Sequence, residues 1–180
     1  MINITFGYQY DSPQIKEKRS ISGDTVLGPL GILLLLESQL GLNSTDSLIT
    51  ARLVQYHQCL KQTLNAKRFY YPSFTENEFA TSRTLLKWRD ELYMGGWSGS
   101  FPSDTLTRLK DLADVECLAK ENVDINQGQR LQRIIETLKT SKIQLSKVVL
   151  EDSRTLLPPM YLKLFDALAV HCEVTEDVNY

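Results

Sequence analysis

The sequence predicts an α/β fold: a small parallel sheet of about three strands with a large helical insertion at residues 43–141. Three observations lead there. Ile2, Ile4 and Phe6 alternate with Asn3, Thr5 and Gly7, the period-two pattern of a strand. The stretch Val26–Leu42, VLGPLGILLLLESQLGL, contains the most apolar helix of the chain. After Lys142 the character changes: Ile143, Leu145, Val148, Val149 and Leu150 read as a buried strand, a helix opens at Leu157-Pro158-Pro159, and Cys172-Glu173-Val174-Thr175 reads as one more short strand. A strand, helix, strand unit of this length implies a right-handed parallel crossover.

Taken in order, residues 8–25 are polar, carry Pro13 and Gly23, and read as a long loop. In the helix that follows, Ile32–Leu36 is an unbroken aliphatic run, which predicts burial on every side, Leu34 included. Gly28-Pro29 supplies a rigid start, with proline in a first turn whose N–H groups lack helical partners, and Gly41 a left-handed stop. A glycine-bearing loop between strand and helix is also how phosphate loops are built. That chemistry needs GxxxxGK[ST], so that backbone N–H groups cradle phosphate and a lysine reaches it. Here Gly28 and Gly31 mark a degenerate version: Pro29 removes a donor, and Ile32 and Leu33 stand where charge is needed.

The insertion is read as consecutive helices. Asn43-Ser44-Thr45-Asp46 offers N-caps for a helix striped by Ile49, Leu53, Tyr56, Leu60 and Leu64. The aromatic run Phe69–Phe74, broken by Pro72, leads into Thr75-Glu76-Asn77-Glu78, a capping-box match that places the next helix start at Thr75. That helix stops at Gly95-Gly96. Within it, Arg89 adjoins Asp90 and Glu91, but consecutive helical residues point about 100° apart. Arg89 is therefore expected to pair with a neighbouring helix and not to serve catalysis. Pro102-Ser103-Asp104 predicts a further helix ending near Asn122, and Leu131, Ile134, Ile135 and Leu138 give the stripe of another.

Composition excludes several functions. A hydrophobic content of 42% with 23% charged residues is that of an ordinary globular chain, and 180 residues suffice for one domain with a sizeable core. A net charge of −2 and a pI of 5.7 oppose a chain-wide nucleic-acid footprint, leaving Lys16, Lys18, Arg19, Lys67 and Arg68 as candidate local contacts to DNA or a partner. Cys59, Cys117 and Cys172 lack CxxC spacing, so no metal ligand set is expected and the cysteines read as reduced. With no signal-peptide pattern and no apolar run long enough for a bilayer, the expectation is a cytoplasmic chain with no membrane role.

The succession of the short first strand, VLGPLGILLLLESQLGL, RLVQYHQCL, FYYPSF, TSRTLLKWRDELYMGGW and KVVLEDSRTLLPPMYLKLFDAL resembles the N-terminal region of bacterial PD-(D/E)XK nuclease family proteins, similar to the AddB and RecB class of helicase-nucleases. The resemblance implies a degenerate, P-loop-helicase-like first domain of a DNA-repair exonuclease, residues 1–180 being one such domain or a fragment of a longer protein. It implies no catalytic residue here: Glu151-Asp152 runs into Ser153-Arg154, without the lysine a PD-(D/E)XK site requires. The expected role is a non-catalytic scaffold without cofactor, contacting DNA weakly, and meeting the remainder of a nuclease chain or a helicase subunit. The alternative is a free-standing protein-interaction module presenting Phe69–Phe74 and Trp97 as exposed anchors.

Overall fold

The computed structural model describes residues 2–11, 24–43 and 47–177. Lys16, Lys18 and Arg19, and the N-cap candidates Ser44, Thr45 and Asp46, lie outside the described residues. The chain divides into two compact units, residues 1–44 together with 130–180, and residues 45–129.

The first unit is built on four parallel strands in the order β2-β1-β3-β4: β1 (Ile2–Phe6), β2 (Asp24–Leu27), β3 (Leu145–Leu150) and β4 (Glu173–Glu176). Among the described residues the count exceeds the expected three by β2. Its four residues have no alternating pattern, and its apolar half, Val26-Leu27, runs into the helix sequence. What makes it a strand is backbone pairing to β1, with Ile4 opposite Thr25 and Phe6 opposite Leu27. The central strands are buried, as parallel strands covered by helices must be: Ile4, Phe6, Val148 and Leu150 are at most 1% exposed. Phe6 meets the rings of Tyr161 and Phe165 on α7 (Pro159–Leu168) at 5.7 and 5.0 Å.

Helix α1 (Pro29–Leu40) corrects the expectation of all-round burial. Ile32, Leu33 and Leu36 are fully buried, but Leu30 and Leu34 are 41% and 38% exposed. Hydrophobicity had concealed an ordinary one-sided helix, because an aliphatic run contains no polar residue to mark its outer face. Conversely, Glu37 lies inside. Its carboxylate accepts two hydrogen bonds from Arg130, Nε to Oε1 at 2.8 Å and Nη2 to Oε2 at 2.6 Å, so neither charge is buried alone. Gly41 ends the helix at φ 65°, and the Leu42 N–H returns to the Glu37 carbonyl at 2.9 Å.

The second unit is helical: α2 (Ile49–Thr63), α3 (Tyr71–Glu76), α4 (Glu78–Met94), α5 (Thr107–Asn122) and the first residues of α6 (Gln127–Leu138), which from Arg130 belongs to the first unit. Tyr56, Leu60, Tyr70, Phe74, Leu85, Leu86, Leu112, Val115 and Ala119 share one core. Two helix starts differ from expectation. Asn77, not Thr75, caps α4, its Oδ1 accepting the Ala80 N–H at 3.0 Å. Thr75 instead turns its hydroxyl back onto the Tyr71 and Pro72 carbonyls inside α3. Helix α5 starts at Thr107 and not at Pro102.

Candidate functional site

The C-terminal ends of the strands are where open parallel sheets bind ligands. There β1 leaves the sheet with the Gly7 N–H on the Leu27 carbonyl at 3.2 Å and enters one 3-10 turn, Tyr8–Asp11. The turn delivers the Asp11 carboxylate to the N-terminus of α1: the Leu30 N–H donates to Oδ2 at 2.5 Å, and the Gly31 N–H approaches Oδ1 at 3.4 Å. These are the unpaired N–H groups that a phosphate would use, and a carboxylate satisfies both them and the positive end of the helix dipole. Between the end of β2 at Leu27 and the start of α1 at Pro29 stands Gly28 alone, too short a link for a phosphate cradle. Gly28 makes room for the plug, since a Cβ there would lie 2.3 Å from Asp11 Oδ1 and 2.5 Å from the Asp11 backbone N. Gly31 faces Leu27, with 3.0 Å to its Cδ2.

The rest of this rim is acidic and engaged by its own chain. Tyr8 N–H donates to Asp152 Oδ2 at 2.7 Å, the Tyr10 hydroxyl donates to Glu151 Oε2, and Gln9 Nε2 reaches the same oxygen at 3.3 Å. Partial burial, then the charges of Asp11 and Asp152, raise the Tyr8 phenol above its ordinary value. Among the described residues no cluster of His, Cys, Asp and Glu could hold a metal ion. Among the described residues, no nucleophile, base and orienting group converge at this rim.

The second unit carries a pocket of about 650 Å³ between α2 and α4, completed by residues 126–128. Leu53, Leu86 and Met94 give it apolar walls, with Arg83 and Lys87 at its edge. On one side Arg52 holds Asp90 bidentately, Nη1 to Oδ2 at 2.9 Å and Nη2 to Oδ1 at 2.5 Å, while Asn126 Nδ2 adds 2.8 Å to Oδ1. Asp124, hydrogen-bonded by Ser47 and Gln55 and near Arg52, titrates below the usual aspartate range.

The remaining residues singled out in the sequence are separated by the fold. Arg89 is buried and bidentate to Glu116 of α5, Nε to Oε2 at 2.5 Å and Nη2 to Oε1 at 2.8 Å, with the Tyr93 hydroxyl on the same carboxylate at 2.8 Å. Burial and Glu116 push the Tyr93 phenol far above its ordinary value. Arg68, a candidate DNA contact, is spent on Asp111 and Asp114 at 2.8 and 2.6 Å, whereas Lys67 is exposed. The supposed exposed anchors Tyr70, Phe74 and Trp97 are core residues, 2%, 1% and 9% exposed, because Pro72 starts a helix and turns the aromatic segment inward. Cys59 is buried, Cys117 exposed and Cys172 intermediate, all as free thiols.

Sequence reasoning missed Asp11, Glu37–Arg130 and Arg52–Asp90. Their partners lie 19, 93 and 38 positions apart, and no spacing rule connects them. Among the described residues no helix is long and apolar enough to cross a membrane. No protein-family model matches the sequence, and no curated protein matches it.

Proposed function

We propose that this chain is a non-catalytic scaffold module of a DNA-processing protein, a helicase-like first domain that has lost its nucleotide site and contributes contacts to DNA or to a partner subunit. The observation that carries the reading is the Asp11 carboxylate on the Leu30 and Gly31 N–H groups. It occupies the anion position of the helix with the chain's own charge and repels a phosphate from it. The parallel sheet and the resemblance to the PD-(D/E)XK nuclease family supply the DNA context. No catalytic residue is assigned to this chain.

Binding of single-stranded and duplex DNA ends across a salt series tests the reading. Weak binding that falls further with salt is the expected result, weak because few phosphates are contacted, each adding about one unit of salt slope. One observation favours the alternative, a protein-interaction module: the apolar pocket between α2 and α4 has Ile49 at its lip, 62% exposed, beside Leu48 at 75%. Absence of DNA binding at low salt would transfer the assignment to that alternative.

A further inference from the structure

Helices α2 and α4 run antiparallel, since Arg52 meets Asp90 while His57, further along α2, meets Ser82, further back on α4. Between them lies the cavity of about 650 Å³, within the range of about 300–1,000 Å³ in which small-molecule sites fall. One face of α4 lines it at helical spacing, through Arg83, Leu86, Lys87, Asp90 and Met94. Ile49 and Leu53 line it from α2.

The three walls are pinned to one another. Arg52 holds Asp90 bidentately from α2, and Asn126 Nδ2 holds the same carboxylate at 2.8 Å from the third wall. Asn126 is itself fixed by a reciprocal pair at the start of α6: the Gln129 N–H donates to its Oδ1 at 2.8 Å, and its own N–H donates to Gln129 Oε1 at 3.1 Å. Gly128 lets this wall close on α4, because a Cβ there would lie 2.7 Å from the Tyr93 carbonyl carbon and 2.9 Å from the Met94 nitrogen. The cavity therefore exists before a ligand arrives, which lowers the ordering cost of binding.

The charges of the lining cancel except at one place. Arg52 and Asp90 satisfy each other, and Lys87 Nζ lies 3.6 Å from Glu91 Oε1. Of the five charged residues that line the cavity, Arg83 alone has no ion pair among the described residues, and its side chain is exposed. Arg83 and Met94 stand at opposite ends of the α4 face, about 16 Å apart at 1.5 Å of rise per residue. Apolar walls with one unspent cation at one end suit an apolar body carrying a single negative group.

We propose that this cavity binds an amphipathic organic anion, its apolar body against Leu53, Leu86 and Met94 and its carboxylate or sulfonate at Arg83. The inference goes beyond the scaffold reading and does not rest on it, because DNA contact requires no small ligand.

The test uses the full chain and two fluorescent probes with the same ring system, 1-anilinonaphthalene-8-sulfonate and the uncharged N-phenyl-1-naphthylamine. The sulfonate should bind saturably, at one site per chain, and more tightly than the uncharged probe. Arg83→Ala should weaken the sulfonate about threefold to tenfold, the worth of one charge contact at a half-open mouth, and leave the uncharged probe unchanged. Thr50→Trp, at an exposed position of the lining, puts an indole into the space and should remove both. Both substitutions are on the surface, and unchanged circular-dichroism melts establish that the variants are folded. Absence of saturable binding by either probe overturns the proposal, as does sulfonate binding that survives Thr50→Trp or ignores Arg83→Ala. A concentration-dependent dimer in sedimentation, dissolved by Thr50→Trp, gives the cavity to a second copy of the chain and overturns it as well.

Discussion

Gly28→Ala is the sharpest probe of the closed helix terminus. At φ −88° and ψ −174° Gly28 has a backbone that any L-residue adopts, so the substitution carries no conformational strain. On its own it would stabilise by about 0.4–1 kcal/mol, through the reduced freedom of the unfolded chain. The added methyl, however, would sit 2.3 Å from Asp11 Oδ1 and 2.5 Å from the Asp11 backbone N. A rotamer change could withdraw the carboxylate, at a cost of about 1 kcal/mol for the lost cap. The backbone nitrogen cannot move independently, which adds an overpacking cost of about 1–3 kcal/mol. The balance is a net destabilisation of about 1–3 kcal/mol, or a fall of about 1 M in the urea midpoint at a slope of about 2 kcal/mol/M. Far-UV circular dichroism should follow it, because both tryptophans, Trp88 and Trp97, lie in the helical unit and report on that unit. In the double variant with Asp11→Ala the two costs should be less than additive, since the cap is lost only once. Wild-type or greater stability of Gly28→Ala would refute the placement of Asp11 against the strand-to-helix link.

Three further outcomes follow from the packing. Glu37→Gln breaks the buried Glu37–Arg130 ion pair and should cost about 3–5 kcal/mol in urea denaturation, against near-neutrality if the pair were on the surface. Leu34→Asp, on the exposed side of α1, should cost about 1 kcal/mol or less, while Leu33→Ala on the buried side should cost about 2–5 kcal/mol; reversed magnitudes would mean that the helix is rotated. Asp124 has a folded-state value below its ordinary 3.8, so its stabilisation is present above that value and fades as pH falls through the folded one. The stability difference between wild type and Asp124→Asn should therefore shrink on acidification, and a difference that grows would contradict the Ser47 and Gln55 hydrogen bonds.

The fold was legible where one element states its own nature. The alternation of Ile2, Ile4 and Phe6 gave β1, and the apolar run ending at Leu150 gave β3. Gly41 marked the left-handed end of α1 and Pro159 the start of α7. What stayed hidden depends on distant partners. Strand β2 exists through pairing with β1, and its short mixed sequence carries no pattern of its own. Glu37 looked like the polar end of an apolar helix, and only the packing of Arg130 makes it a core residue. The aromatic run Phe69–Phe74 read as a surface feature, because composition does not indicate which way a proline-started helix will turn. At the candidate site, the lack of phosphate-loop residues was visible at Pro29, Ile32 and Leu33, but the group that caps the start of α1 was not, since Asp11 lay in a stretch without periodicity.

The central claim is that the chain's own carboxylate closes the N-terminus of α1 to phosphate. Calorimetric titration of the intact chain with magnesium–ATP tests it most directly. Asp11 on the Leu30 and Gly31 N–H groups predicts no heat of binding up to millimolar nucleotide, and low-micromolar binding would contradict it and reopen the loop as a working nucleotide site.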